Sequence, residues 1–145
     1  MKSRAGRFAA YGTIGLVFEL AFTGLKGAIR GDDPLRTAHT SLWMFPVYGL
    51  MQPLFEPVHD RLRGRAGVPA RAATYAAGFF AVEYVSGWLF RRLRGRAPWD
   101  YSYARWSIHG LIRLDYAPLW AAMGLAMERV HDALVARPGP QPVSR

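Results

Sequence analysis

The sequence F-A-A-Y-G-T-I-G-L-V-F-E-L-A-F-T-G-L, from Phe8 to Leu25, decides the class of fold. Glu19 is the only charged residue among these eighteen positions. A soluble helix of this length has a polar face, with roughly half of its positions hydrophilic, whereas small or apolar residues surround this one almost completely. Since a membrane-spanning helix needs about 20 mostly apolar residues, the stretch predicts a span.

Three further apolar stretches follow along the chain. Leu42 to Phe55 contains no charged residue, Ala72 to Phe90 contains only Glu83, and a less pure run extends from Leu114 to Leu134. A single soluble domain of 145 residues has room for one such buried helix rather than three. We therefore predict an all-α integral membrane four-helix bundle. Its single transmembrane helical domain covers residues 1–137, with spans at about 8–28, 40–58, 70–90 and 115–135 and a flexible tail at 138–145.

The charged residues are concentrated between these stretches. Lys and Arg number 19 against 10 Asp and Glu, a net charge of +9, while mean hydropathy is near zero. Basic clusters lie next to the ends of apolar stretches, where such side chains hold helix ends at anionic headgroups. We expect membrane lipids rather than nucleic acid as partners of this set: Arg61, Arg63, Arg65, Arg91, Arg92, Arg94 and Arg96.

The orientation of the chain rests on a small difference in charge. Lys and Arg divide nine to nine between the two sides of a four-span arrangement, so the positive-inside rule does not decide between them. The amino tail has three positive charges and no acid, whereas Asp32 and Asp33 dilute the positive charge of the next loop. We therefore predict a cytoplasmic amino terminus.

Two carboxylates lie inside predicted spans, where an ionisable group is costly and faces a partner. They are Glu19 and Glu83. Helical spacing puts Glu19 on one face with small and polar residues, and glycines there let another helix or a second copy of the chain approach closely. Such carboxylates share a proton, bind a cation or bond an arginine; the alternative is that they only hold helices together. The face consists of Gly12, Gly15, Glu19, Thr23 and Lys26.

Three prolines interrupt the second stretch, at Pro46, Pro53 and Pro57. Proline removes a backbone donor and bends or breaks a helix. Broken helices at membrane depth line protein or a cavity. We therefore predict a discontinuous segment with Tyr48 facing a polar interior, the alternative being a simple kink.

The segment W-D-Y-S-Y-A-R-W-S-I-H-G, Trp99 to Gly110, interleaves aromatic and polar residues in a way typical of the boundary between water and lipid. We predict a short interfacial or re-entrant helix here, between the third and fourth spans, with Asp100 able to cap it. The candidate ligand- or ion-binding residues of the chain are Glu19, Tyr48, Glu83, Trp99, Asp100, Tyr101, Ser102 and His109.

The composition and the missing motifs exclude several classes of site. The chain has no cysteine and four scattered histidines, so a disulfide scaffold, a thiol nucleophile and a thiolate zinc site are excluded, and we predict no metal and no cofactor. Neither G-x-S-x-G, a Walker loop, a dinucleotide fingerprint nor H-E-x-x-H occurs, so no catalytic residue is assigned. Two alternatives stay open: a membrane-lipid-modifying enzyme using Asp100, His109 or Glu83, and a structural or regulatory protein without a ligand.

The order of the motifs resembles a known family. It runs from an acidic residue in the first span through F-P-V-Y-G, Glu83 with Gly87, and W-D-Y-S to G-L-I-R-L-D-Y-A-P-L-W with Gly124. This order resembles small bacterial membrane proteins named putative ABC-transporter permeases of the CmpB type, over roughly residues 8–135. It is also similar to the vertebrate transmembrane protein 229 family across Trp99 to Glu128, although Ser107 stands where the usual pattern has asparagine.

The resemblance implies a polytopic helical protein of the bacterial inner membrane. The transporter name of the family is itself a prediction. With the polar residues of the spans, it leads us to expect a transport-related component or accessory subunit that binds a lipid-like or small ligand in the bundle. We expect a homo-oligomer or a membrane-protein partner, because four short helices enclose little volume. No ATPase motif occurs in the sequence, so this chain is expected to be only the membrane partner of such a machine.

Overall fold

The computed structural model describes residues 3–136, and the predicted tail at 138–145 lies outside them. The described chain is mostly helical, as predicted. Its helices are α1 (Arg4–Ile29), α2 (Pro34–Thr37), α3 (Met44–Gly49), α4 (Glu56–Leu62), α5 (Val68–Arg94) and α6 (Ala117–Val135). A π-helical turn (Met51–Phe55) separates α3 from α4, and β1 (Ser107–Ile108), β2 (Ile112–Arg113) and a 3-10 turn (Leu114–Tyr116) precede α6.

The helices form two antiparallel hairpins. In the first hairpin, α1 packs along the segment from α3 to α4, which we call the second segment (Met44–Leu62). In the second hairpin, α5 packs along α6. The start of α1, the end of α4, the start of α5 and the end of α6 therefore meet at one end of the molecule, which we call the amino end.

Glycines set the distance between the helices of each hairpin. A Cβ on Gly12 would lie 2.8 Å from the ring of Phe45, and one on Gly15 would overlap Tyr48. In the second hairpin, a Cβ on Gly124 would overlap Tyr75. The second segment of the same chain thus covers Gly12 and Gly15 on the glycine face of α1. Of the two partners that the sequence allowed for this face, the structure shows a helix of the same chain rather than a second copy.

The second segment is interrupted at Pro53, whereas Pro46 lies in the first turn of α3. Pro53 lies in the π-helical turn, and Pro57 lies in the first turn of α4. Because proline has no backbone N–H, the regular α-helical bond is lost at Pro53, and a wider turn accommodates the loss. The helical conformation then continues to Leu62, beyond the predicted end near residue 58.

The chain between α5 and α6 corrects one prediction, because it forms a β-hairpin where a short interfacial helix was expected. Asp100 accepts a hydrogen bond from the backbone of Ser102 at 2.9 Å, which closes a local turn rather than capping a helix. His109 (φ 52°) and Gly110 (φ 67°) are both left-handed, and they form the tight turn between β1 and β2. Two consecutive residues in the left-handed backbone conformation cannot continue a right-handed helix.

The β-hairpin is anchored on α5. Leu111 is buried, and its side chain would lie 2.8 Å from a Cβ on Gly87. The indole of Trp99 donates to the carbonyl oxygen of Leu111 at 2.9 Å. Beside α6, Arg113 forms an ion pair with Asp115. These contacts hold the aromatic segment against the helices.

The buried core joins the two hairpins at the amino end. It contains one aromatic or sulfur-containing side chain from each of α1, the π-helical turn, α5 and α6, namely Tyr11, Phe55, Tyr75 and Met127. The rings of Phe55 and Tyr75 are 4.8 Å apart. Burial of such side chains contributes about 1.5–3 kcal/mol each, so this cluster is the main apolar contact between the hairpins.

Among the described residues, α1 is the one helix long and apolar enough to cross a membrane by length and composition alone. The second segment is broken, and α6 carries Glu128, Arg129 and Asp132. The four-span bundle therefore stays a prediction.

Two glycines test the close contact between α5 and α6. Gly124→Ala should destabilise the protein, because overpacking against Tyr75 costs about 1–3 kcal/mol. Gly78→Ala is the matched control, since a Cβ at Gly78 meets nothing within 4 Å and alanine gains up to about 1 kcal/mol in helix propensity. Thermal unfolding in detergent should give a lower midpoint for the first variant and an equal or higher one for the second. Equal midpoints for the two variants would contradict the contact.

Candidate functional site

A cavity of about 260 Å³ lies between the two hairpins. Its wall is mainly apolar, with contributions from the second segment and from one face of α5. Five of the eight candidate residues line it: Glu19, Tyr48, Glu83, Trp99 and Tyr101. The fold thus brings residues from four separate parts of the sequence to one space, although their role in binding stays a prediction.

Glu19 enters the cavity from α1, and side chains of α3 and of the connector before it bind its carboxylate. Its Oε2 atom accepts hydrogen bonds from the hydroxyls of Thr40 at 2.7 Å and Tyr48 at 3.0 Å. The bond from Tyr48 depends on Gly15, which lets Tyr48 approach α1 closely. The carboxylate is therefore oriented by two neutral donors rather than by an arginine.

Glu83 enters the cavity from α5. Its Oε1 atom accepts a hydrogen bond from the hydroxyl of Tyr101 at 2.9 Å. Its Oε2 atom and the indole nitrogen of Trp120 are both buried, and the indole interacts with the Glu83 carboxylate, although no hydrogen bond of regular geometry joins them. The ring of Trp120 stacks on Phe79 at 5.2 Å. The Glu83 carboxylate in the cavity wall therefore faces two neutral donors, the hydroxyl of Tyr101 and the indole of Trp120.

The other three candidate residues lie outside the cavity. Asp100 and Ser102 are exposed and bond to each other at 2.6 Å, and hydrogen bonds from Ser102 hold the pKa of Asp100 below its usual range. His109 is exposed and contacts the hydroxyl of Tyr84 through Nδ1 at 2.8 Å. These residues shape the β-hairpin instead.

The arrangement of Asp100, His109 and Glu83 bears on the alternative of a lipid-modifying enzyme. Each has a separate set of partners, and no hydrogen bond joins any two of them in the part of the chain that the structure describes. General acid–base chemistry needs its groups within hydrogen-bond reach. The geometry therefore gives this alternative no observation in its favour.

The basic connectors also have contacts within the chain. Arg63 pairs with Asp132, Arg91 donates to the carbonyl oxygen of His109 at 2.5 Å, and the guanidinium of Arg94 lies 4.7 Å from the ring centroid of Trp43. The side chains of the remaining four, Arg61, Arg65, Arg92 and Arg96, are exposed. Headgroup binding by this set stays a prediction.

A polar network at the amino end is the feature that the sequence analysis missed. Arg7 binds Glu56 through two hydrogen bonds of 2.8 and 3.0 Å. Arg71 and Tyr75 both donate to Oε1 of Glu128 at 2.8 Å. Each pair joins the start of one long helix to the later half of its antiparallel neighbour, the second segment for Arg7 and α6 for Arg71. The available signal was Glu56, directly after the second apolar stretch, and Glu128, inside the fourth, but their arginine partners lie just before the first and third stretches.

Two buried histidines complete this network. His59 is 2% exposed and His131 is 3% exposed, although histidine is ordinarily a partly exposed residue. They lie on α4 and α6, so no local spacing in the sequence connects them. Only the pairing of the hairpins brings them together.

The comparison with known families agrees with the resemblance carried by the motifs. Residues 7–140 match the family model ABC_trans_CmpB, described as "Putative ABC-transporter type IV". No solved structure is significantly similar to the chain. The likeness to the vertebrate transmembrane protein 229 family stays a prediction. Because the match covers nearly the whole chain, the protein belongs to the CmpB-type family of "Putative ABC-transporter type IV" proteins.

Proposed function

We propose that the chain is the membrane-embedded, ligand-binding component of an ABC-transporter-related machine. Family membership indicates a transporter-related component and a membrane location. The observation that carries the finer proposal is the apolar cavity with Glu19 and Glu83 in its wall. In this proposal ATP hydrolysis belongs to a partner protein, and the present chain supplies a binding site within the bilayer.

The distribution of side chains supports four membrane crossings. Large apolar residues are exposed on the outside of the helices, among them Val17, Leu25, Leu54 and Val85, while the arginine–glutamate pairs face inward. Such an exposed apolar surface suits lipid rather than water. At about 1.5 Å per residue the 27 residues of α5 extend about 40 Å, enough for a hydrocarbon core of about 30 Å.

The chemistry of the cavity indicates the class of ligand. The wall is mostly apolar, so it favours an alkyl or aromatic body. Among the described residues, the carboxylates of Glu83 and Glu19 face neutral donors rather than an arginine, so they favour a head group that donates hydrogen bonds and carries a positive charge. A lipid-like amine meets both requirements, because a positive donor makes the stronger, charge-assisted bond.

A set of ten-carbon probes tests this ligand class. We expect the full chain in lipid nanodiscs to bind n-decylamine more tightly than n-decanol, and n-decanol more tightly than decanoate. Glu83→Gln should weaken decylamine binding by about tenfold or more, because a hydrogen bond to a charged group contributes about 1.5–3 kcal/mol. Isothermal titration against empty nanodiscs measures the three affinities.

A substitution at Gly78 tests whether the probes bind inside the cavity. Gly78 lines the cavity and has open space around its Cβ position, so Gly78→Phe should fill the cavity and abolish binding of all three probes without disturbing the fold. Gly67→Phe is the control, because its Cβ position meets only Pro69 at 3.8 Å and lies in the connector before α5. Unchanged decylamine binding by a folded Gly78→Phe variant would refute the proposed site.

The membrane arrangement is tested by single cysteines. Because the chain has no cysteine of its own, one introduced thiol gives an unambiguous signal with a membrane-impermeant maleimide. Ser3→Cys and Arg65→Cys should react from the cytoplasmic side only, in inverted vesicles. Asp32→Cys and Arg96→Cys should react from the opposite side only, in intact spheroplasts. Labelling of all four from one side would contradict four crossings.

A further inference from the structure

Two histidines far apart in the sequence meet at the amino end. The ring centroids of His59 and His131 are 5.1 Å apart, and both side chains are buried. One ligand atom from each of His59, Asp60 and His131 lies within 4.8 Å of the other two. Imidazole nitrogen and carboxylate oxygen are common metal ligands. These three residues can bind an ion if each ligand atom has a free lone pair.

The hydrogen bonds of His59 leave its Nε2 atom free to bind a cation. Nδ1 lies 3.1 Å from the hydroxyl of Tyr75, and that hydroxyl donates its own proton to Glu128 at 2.8 Å. Nδ1 therefore donates the proton in its bond to Tyr75, and in the neutral, metal-binding form of the ring Nε2 carries the lone pair. This is how the second nitrogen of a metal-binding histidine is ordinarily fixed.

His131 is oriented in a similar way. Its Nδ1 atom lies 3.3 Å from the hydroxyl of Tyr11 and 3.5 Å from Oε1 of Glu56. Its Nε2 atom lies 3.3 Å from Oδ1 of Asp60. Nδ1 of His131 thus faces the polar network, and its Nε2 faces the carboxylate of Asp60.

The buried Nε2 atom of His59 is the observation that points to a ligand. It has no hydrogen-bond partner among the described residues, and the same holds for the buried Oδ1 atom of Asp132. The two atoms are 3.7 Å apart, which is longer than a hydrogen bond of about 2.7–3.2 Å. Leaving both unpaired costs free energy. A cation bound by both would remove that cost.

We propose that His59, His131 and Asp60, together with Asp132, bind one divalent transition-metal ion of the zinc class. Two imidazole nitrogens with carboxylate oxygens suit Zn²⁺, whereas Mg²⁺ and Ca²⁺ prefer oxygen ligands alone. Because metal–ligand bonds are about 2.0–2.2 Å long, the ligand atoms must move about 1 Å closer together. The exposed side chain of Asp60 has the space to make that movement.

Charge and access at the site are compatible with a dication. Three carboxylates near the histidines each pair with a different arginine, in the pairs Arg7–Glu56, Arg63–Asp132 and Arg71–Glu128. These pairs neutralise the arginine charges that would otherwise repel a cation. An open cavity of about 430 Å³ borders the site; Asp60, Glu56 and His131 line it together with Arg4, Arg7 and Arg63.

A metal at this place would join the two hairpins. His59 and Asp60 belong to α4, whereas His131 and Asp132 belong to α6. An ion that binds the folded chain but not the unfolded one stabilises the fold. The site is separate from the cavity between Glu19 and Glu83, so this inference does not depend on the proposed function.

Cobalt provides a direct probe of the site. The full chain, purified without a polyhistidine tag and freed of metal with a chelator, should bind one Co²⁺ per molecule with the visible absorption of four-coordinate nitrogen and oxygen ligation. Zn²⁺ should displace the Co²⁺ and raise the thermal unfolding midpoint. Mg²⁺ should do neither.

Variants assign the binding to these residues. Asp60→Ala removes an exposed ligand without touching the core and should weaken Co²⁺ binding about tenfold or more; His131→Gln should abolish it. Asp32→Ala and His39→Gln are the matched controls, since both residues lie near the other end of the first hairpin, and they should bind Co²⁺ like the parent chain. Absence of saturable Co²⁺ binding, or binding that Asp60→Ala leaves unchanged, would overturn the proposal.

Discussion

Each of the four long helical segments carries one glutamate, and a carboxylate among apolar helices must find a hydrogen-bond donor in another element. Glu19 of α1 is bonded by Thr40 and Tyr48, and Glu83 of α5 by Tyr101. Arg7 and Arg71 do the same for Glu56 of α4 and Glu128 of α6. Breaking one buried pair by removing a single partner is strongly destabilising. These four attachments therefore determine how the segments are aligned, and the glycine contacts bring them close enough to form.

The four glutamates differ in the hydrogen-bond donors that they face: arginines at the amino end, and neutral groups in the cavity. At the amino end, arginine charges compensate Glu56 and Glu128, and the network joins helix ends where both hairpins meet. In the cavity, the donors that face Glu19 and Glu83 are neutral: hydroxyls at both carboxylates, and the indole of Trp120 beside Glu83. Carboxylates without a compensating charge attract a donor from outside the protein. This difference is why we place ligand binding in the cavity and treat the amino end as a stabilising and metal-binding region.

Local patterns in the sequence were sufficient for part of this account. The helical positions, the break in the second segment and the inward direction of Glu19 all follow from apolar length, proline chemistry and helical periodicity. The β-hairpin did not follow, because its turn depends on left-handed conformations at His109 and Gly110 that aromatic–polar interleaving does not reveal. The pairing of His59 with His131 did not follow either, since it depends on the alignment of α4 with α6. Long-range alignment is set by contacts such as Gly124 with Tyr75.

The central claim is that Glu19 and Glu83 share an uncompensated, ligand-accessible cavity, unlike Glu56 and Glu128. Dicyclohexylcarbodiimide, which modifies protonated carboxyl groups in apolar surroundings, tests the claim directly when the modified glutamates are identified by mass spectrometry of membranes. We predict that Glu83 and Glu19 are modified, that n-decylamine protects both, and that the arginine-paired Glu56 and Glu128 are not modified. Equal modification of all four glutamates, or modification of Glu83 that n-decylamine does not reduce, would contradict the account.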